Sequence, residues 1–459
     1  MKPPSSISDG LLGPLFTAPD VEAELSDGAF LAALLDVESA LARAGADVGI
    51  VPVAAADAIA AACDPAAFDV ATLGAEAPQS GTPVVPLVRA LSSRVAEDAR
   101  SWVHYGATSQ DVVDSALMLL ARRVGEVLIR DGETAAAACA ELTAAHRGSL
   151  MVARTLGQQA ALTTFGLKAA GWLTAVDHAV TRLRTVVRTG LAVQLGGAAG
   201  TLATFGPAGP AALAAFATRL DLVEPSIPWH TDRQRVLDLA VALGGIVTAV
   251  GKVALDVELL AQTEVGEVSE GGDDPRRGAS SALPHKRNPV DAVLIRSAAY
   301  RAPGLVATLL ATAQQEHERA AGAWHAEWDT LRQLMSIAGG AVARAGALLS
   351  SLDIDTGRMR SNVDDTGGLV MSESVAAALT ARVGRAPAQA LVARCSTQVT
   401  AHGRSFYEIV QADDEISQHL TSDDIESAFD AGPVLASAGR LVDRALAAYR
   451  SGDSHGSHP

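Results

Sequence analysis

The stretch GASSALPHKRNPV, residues 278–290, puts two serines and the triplet His285-Lys286-Arg287 directly in front of an apolar run. Asn288 is a good N-cap and Pro289 is favoured at the first helical position, so a long helix is expected to start here. A helix N-terminus carries partial positive charge and N–H groups without intrahelical partners. With the three basic side chains just ahead of it, the segment predicts a place that accepts negative charge. Ser280 and Ser281 stand at its upstream edge. A serine hydroxyl is a poor base alone, but it exchanges protons when cations and backbone donors stabilise its oxyanion in a dry site. An ordinary basic loop before a helix competes with this for any one residue. The combination SSxLPxKxNP argues against it.

Outward from this stretch the chain is a series of helices. From about 108 to 350 they are long. The first follows GATSQDVVDSALMLLARRVGEVLI, where Thr108 and Asp111 have capping-box spacing. The last is PVDAVLIRSAAYRAPGLVATLLATAQQ, with Pro303 a potential kink. Two Gly-rich connections lie between them, QLGGAAGTLATFGPAGP (194–210) and EVGEVSEGGDDPRRGA (264–279). The second is polar and is expected to be a mobile loop. The expected organisation is an N-terminal helical domain over 1–110, a central long-helix bundle over 111–352, a smaller helical domain over 353–450 and a disordered tail over 451–459. The expected class is all-α, with functional residues in the joints at the rim of the bundle.

Composition agrees. The chain has 459 residues, 49% of them hydrophobic and 19% charged, which is globular and points to more than one domain. Aromatics are only 4%, and alanine, the best helix former, is abundant. The net charge of −16 argues against nucleic acid or an anionic membrane as the main partner. It allows a small anion in a local basic pocket, for which 276–287 is the candidate. Cys63, Cys139 and Cys395 are odd in number and far apart, which suits a reducing, cytoplasmic setting without disulfides. The N-terminus lacks the apolar core of a signal peptide. The most apolar helix, around 236–263, carries Asp238, Lys252, Asp256 and Glu258. Its uncharged stretch is shorter than the ~20 residues of a membrane span, so it is expected to be buried on nearly all sides of a bundle. There is no P-loop, G-x-S-x-G or H-E-x-x-H, and the histidines show no i, i+4 pair, so a reaction without metal or cofactor is the simpler reading.

SSALPHKRNP resembles the signature of the fumarase/aspartase superfamily, roughly GSSxMPxKxNP. The family's two other segments have counterparts in HYGATSQDVVDSA (104–116) and ARTLGQQAALTTFG (153–166). The resemblance covers nearly the whole chain. It implies a three-domain protomer, a homotetramer built on a shared helical bundle, and active sites each assembled from three subunits. Carried over residue by residue, Ser280 aligns with the catalytic acid/base. Lys286 and Asn288 align with the residues that stabilise the carbanion and its carboxylate. Thr108 and Ser109 align with carboxylate-binding hydroxyls, and Gln158 with a substrate-contacting glutamine. The shared chemistry is proton transfer at a carbon next to a carboxylate. Its dianionic intermediate needs clustered cations and amide donors.

Two departures select a branch. Adenylosuccinate and argininosuccinate lyases usually read R-T-H in the second segment, where this chain has Leu156, and leucine cannot protonate a leaving group. Adenylosuccinate lyases tend to have a His-Asp pair where this chain reads SGTPVVPLV. Both features, with PHKRNPV, VHYGATSQD and QEHERAAGAWHAEW (315–328), resemble the lactonising branch, the 3-carboxy-cis,cis-muconate cycloisomerases. That resemblance implies intramolecular addition of a carboxylate to a double bond, which releases no amine and needs no second acid. It implies a tricarboxylate substrate held by Lys286 and Arg319. His285 and Arg287 either contact substrate, are solvated or hold the loop. His317, His325 and Trp324 are candidates to line the pocket, Trp324 alternatively packing in an interface. His104 is expected to tie its turn. The glycines of 196–200 allow close backbone approach, with Thr201 a candidate ligand. The family's glycine before the serine pair is Ala279 here, a restriction if that position needs positive φ. Ser280 and Lys286 both remain candidates to deliver the proton. A fumarate-releasing lyase would call for a histidine near 156. A non-catalytic scaffold would call for loss of the Ser280, Lys286 and Asn288 set.

Overall fold

In the computed structural model the described residues are 11–271 and 278–452. Arg276 and Arg277 of the expected basic pocket, and residues 453–459 of the expected tail, lie outside them. Alanine- and leucine-rich segments form six long helices: α1 (Asp27–Asp47), α2 (Ser109–Ala145), α3 (Phe165–Thr189), α4 (Gln234–Leu260), α5 (Val290–Thr312) and α6 (Ala323–Ser350). The fold is all-α and multi-domain. Its described strands form two small antiparallel pairs, β1 (Leu150–Thr155) with β2 (Gln158–Thr164), and β3 (Val268–Glu270) with β4 (Leu352–Ile354). β3 corrects the expectation of a loop over 264–279. Val268 is buried and the strand is held by pairing with β4, so this part of the polar connection is ordered by tertiary contact.

Internal contacts divide the chain into two compact units. The first comprises Met1–Glu133, Ala179–Gly251 and Leu294–Ala345. In it Ser26 caps α1 by accepting from the Ala29 N–H at 3.1 Å. Ala42, Val51, Ala55, Ile59, Leu91 and Val103 bury a shared apolar cluster. The small-residue composition has a direct packing use: a Cβ on Gly132 would lie 2.5 Å from Val180, so these segments approach closely only because that position is glycine. The second unit comprises Thr134–His178, Lys252–Val293 and Gly346–Pro459. It holds both strand pairs and a separate apolar core around Val375, Leu379, Leu391, Phe406, Val410 and Ile425. Capping boxes at Ser405/Glu408 and Thr421/Asp424 start two of its short helices.

α4 departs from its expectation in how it is buried. By length and composition it is apolar enough to cross a membrane, a test that the core helix of a compact bundle also passes. It is not buried on all sides. Asp238, Val241, Gly245, Thr248 and Lys252 are exposed at helical spacing along one stripe. α5 runs unbroken through Pro303 and exposes Val293, Tyr300 and Leu310.

Candidate active site

In the first unit the site is built around a buried carboxylate. Asp111, in the first turn of α2, accepts from the N–H of Thr108, Gly196 and Gly197, each at 2.9 Å, and faces Nε2 of buried His230 at 2.6 Å. It therefore fastens the N-terminus of α2 to the loop after Gln194. This is half of the expected capping box. The Thr108 hydroxyl does not return to Asp111; it accepts from Arg319 at 2.7 Å. Arg319 also donates to the carbonyls of Gly197 and Ala198, at 3.3 and 3.0 Å. All its acceptors are neutral. Among the described residues it forms no ion pair, and its buried Nε has no partner. A guanidinium held in place without being neutralised is suited to bind an anion. Gly197, at φ +70°, is what permits this corner: a Cβ there would lie 2.8 Å from the Gly106 carbonyl oxygen. Ser109 begins α2, half-buried, and Thr201 is exposed on the loop that the Leu202 N–H closes onto Gly196.

Behind the corner lies a fully buried ion network. Arg233 donates to Asp114 at 2.8 and 3.1 Å and to Glu327 at 2.6–3.2 Å. Gln315, on the loop that carries Arg319, donates to Glu327 at 2.8 Å. Burial pushes the Glu327 carboxyl above its ordinary range despite the Arg233 charge. Arg233→Met leaves two buried carboxylates uncompensated and is expected to cost about 3–5 kcal/mol, read from denaturant unfolding.

His104 occupies the left-handed region at φ +57° and bonds Glu38 of α1 at 2.6 Å, so it ties the turn before α2. Burial pushes its pKa down, but the Glu38 carboxylate outweighs burial and holds it above the ordinary value. A raised folded pKa stabilises fully below the unfolded value of about 6.5, and that stability is lost as pH rises through the folded value. The stability gap between the wild type and His104→Asn is therefore expected to be widest below about pH 6 and to shrink toward pH 9. A gap that stays constant in thermal unfolding across that range would count against the ion pair.

In the second unit the 278–290 segment is a closed loop. Gly278 accepts at its carbonyl from the Asn288 N–H at 2.8 Å and the Asn288 Nδ2 at 3.0 Å, and Ala279 bridges Arg287. The positive φ falls on Gly278, not on Ala279, so the extra methyl is accommodated without strain. Ser280 Oγ accepts from the N–H of Ala282 and Leu283, at 3.3 and 3.1 Å. Both donors would stabilise negative charge on that oxygen. His285 and Lys286 are exposed, and among the described residues their side chains are unpaired. The expected helix start needs correction. α5 begins at Val290, and the Asn288 side chain turns back to Gly278. The N–H groups of Asp291 and Ala292 are taken by the Glu270 carboxylate, at 3.2 and 2.8 Å. An internal carboxylate thus holds the position that the sequence suggested for a substrate's.

The second segment is the β1–β2 hairpin. Leu156 and Gly157 form its two-residue turn at φ +53° and +80°, with Leu156 fully exposed. Gln158 opens β2 opposite Thr155, and its side chain makes no hydrogen bond among the described residues. Beneath it Arg154 pairs buried Glu267 at 2.8 Å, and Asn362 bonds the same carboxylate at 2.8 Å. Of the five described non-glycine residues at positive φ, four (His104, Leu156, Leu202 and His317) lie in or beside the segments that carry the candidate residues. Stored backbone strain of this kind concentrates at functional sites.

Residues 18–304 match a family model described as "Lyase", and 368–445 match "Adenylosuccinate lyase C-terminus". The chain belongs to the fumarase/aspartase superfamily of lyases. Among its relatives, the nitrosuccinate lyase of Streptomyces davaonensis is 44% identical over 96% of this chain and 95% of its own. The 3-carboxy-cis,cis-muconate cycloisomerase of Bradyrhizobium diazoefficiens is 42% identical over 95% and 97%. The crystal structure of the 3-carboxy-cis,cis-muconate lactonizing enzyme from Pseudomonas putida matches with a TM-score of 0.88 and 37% identity, over 96% of this chain and 99% of that one.

For this superfamily member the structure joins Thr108 directly to Arg319 and places Ser280 and Asn288 in one closed loop with His285 and Lys286. The sequence pointed to Asp111 only as a cap and gave no sign of His230 or Glu270, whose partners are 119 and 22 residues away. No local pattern reports such pairings.

Proposed function

We propose that the chain is a cycloisomerase that lactonises 3-carboxy-cis,cis-muconate in aromatic-acid catabolism. A carboxylate oxygen of the substrate adds to its own double bond, forming a C–O bond. The π electrons shift toward the neighbouring carboxylate, and one proton is delivered to the carbon beside it. Ser280 or Lys286 delivers that proton, Lys286 and Asn288 stabilise the intermediate, and Arg319, Thr108, Ser109, Gln158, Thr201 and His285 bind the tricarboxylate. The observation that carries this reading is Leu156 at the exposed hairpin turn. Without a proton-transfer group there, expulsion of an amine lacks its acid, whereas lactonisation expels nothing. The unneutralised Arg319 supports a polyanionic substrate.

A second reading is elimination from nitrosuccinate, favoured by the 44% identity to a nitrosuccinate lyase. Nitrite is a weakly basic leaving group, so Leu156 is compatible with it as well. We further propose a cytoplasmic homotetramer of three-domain protomers with active sites shared between subunits. The exposed stripe of α4 and the apolar residues Val293, Tyr300 and Leu310 of α5 support such burial between copies.

The deciding experiment incubates the purified protein with 3-carboxy-cis,cis-muconate, nitrosuccinate and adenylosuccinate in parallel, without added metal or nucleotide. Rapid loss of the diene absorbance with the first substrate alone is the expected result. Fumarate and nitrite from the second, with an inert muconate, would replace the lactonising reading by elimination. Fumarate from adenylosuccinate would mean that another group supplies the acid that Leu156 lacks.

A further inference from the structure

We infer that His325 binds a second substrate carboxylate, beyond the one taken by Arg319 and Thr108, and so sets the preference for tricarboxylates; this rests on the polycarboxylate reading above. The loop that carries Arg319 leads straight into α6, whose first turns present Trp324, His325 and Trp328. The His325 ring lies 4.7 Å from Trp328 and 5.2 Å from Trp324, and the two indoles meet edge-on at 4.7 Å. Trp324 is buried, and its Nε1 donates to Asp114 at 2.9 Å. Asp114 lies one turn along α2 from Asp111 and is fixed by Arg233. The imidazole is therefore mounted on the same rigid framework as the Arg319 corner.

His325 itself is exposed, and among the described residues it has no hydrogen bond or ion pair. Its Nε2 faces the turn Ser80-Gly81-Thr82, where a Cβ on Gly81 would sit 3.8 Å away. That is ordinary contact distance, so the turn borders the imidazole on one side while the rest of the ring stays exposed. Beside it, Trp328 Nε1 is buried without a partner, as is Arg319 Nε. A buried donor without an acceptor is costly, and these two leave the segment between Arg319 and Trp328 short of acceptors. A histidine serving only to pack would be enclosed and bonded. This one is held by its aromatic neighbours and remains exposed and unbonded among the described residues.

The test compares the full-length wild type with His325→Phe, which keeps the aromatic stack, and with His325→Gln, which keeps a donor. Binding of propane-1,2,3-tricarboxylate and of glutarate is measured by calorimetry, alongside muconate kinetics. The wild type is expected to favour the tricarboxylate by about tenfold or more, the worth of one hydrogen bond to a charged group. His325→Phe should lose that preference while glutarate binding is unchanged, and KM should rise about tenfold with kcat nearly constant. His325→Gln should recover part of the loss. An unaltered preference and KM in His325→Phe would overturn the assignment. A wild type inert toward muconate would remove the lactonising reading alone, because the two binding measurements would still decide the role of His325.

Discussion

Lys286→Ala is expected to lower kcat on the proposed substrate, 3-carboxy-cis,cis-muconate, by a factor of about 10²–10³ or more while leaving the gel-filtration profile unchanged. Protonation next to a carboxylate passes through an intermediate with charge spread over that carboxylate. Stabilising developing charge is the largest single contribution in many such reactions. The Lys286 ammonium is exposed and unpaired among the described residues, so it is free to meet that charge. For the same reason its removal takes nothing from the folded chain. Surface substitutions without packed partners usually change stability by about 0.5 kcal/mol or less. Loss of turnover with unchanged gel-filtration and melting profiles is the expected pair of results. Near-normal turnover would show that the charge is met elsewhere.

Ser280→Ala is expected to cost about 10²–10⁴ in kcat if this hydroxyl delivers the proton. Ser280 Oγ accepts two backbone N–H groups, from Ala282 and Leu283. They orient the oxygen and favour its anionic form, which makes it a competent acid/base only when the loop is folded as seen. The substitution frees those N–H groups in an exposed stretch, where water replaces the lost acceptor, so the loop's cost is small. Single-turnover measurement of diene loss separates the chemical step from binding. A loss of only a few-fold would transfer proton delivery to Lys286. A double variant little worse than the more damaging single one would show that the two residues act as one unit.

The helical class, the long-helix region and the residues of the chemistry were legible because each leaves a local trace. Alanine-rich periodicity specifies helix, and Ser280, Lys286 and Asn288 fall within one short run whose residue types carry their own chemistry. Leu156 was legible as a missing acid for the same reason. What no local pattern shows is which distant group satisfies which. The sequence put Asn288 at the cap of a helix, but Glu270 fills that helix end, because a carboxylate that β3 brings into reach is a stronger acceptor than a neutral amide. The spacing of Thr108 and Asp111 suggested mutual capping. Asp111 does accept from the Thr108 N–H, but its other contacts go to Gly196, Gly197 and His230, and the Thr108 hydroxyl is left to Arg319. A buried carboxylate is stable only when several donors surround it, and donors from three places in the chain converge only in the folded state. The sequence by itself determined the long helices and the reactive side chains. The tertiary structure alone decided their partners, because hydrogen bonds and ion pairs depend on distance in space and are indifferent to distance along the chain.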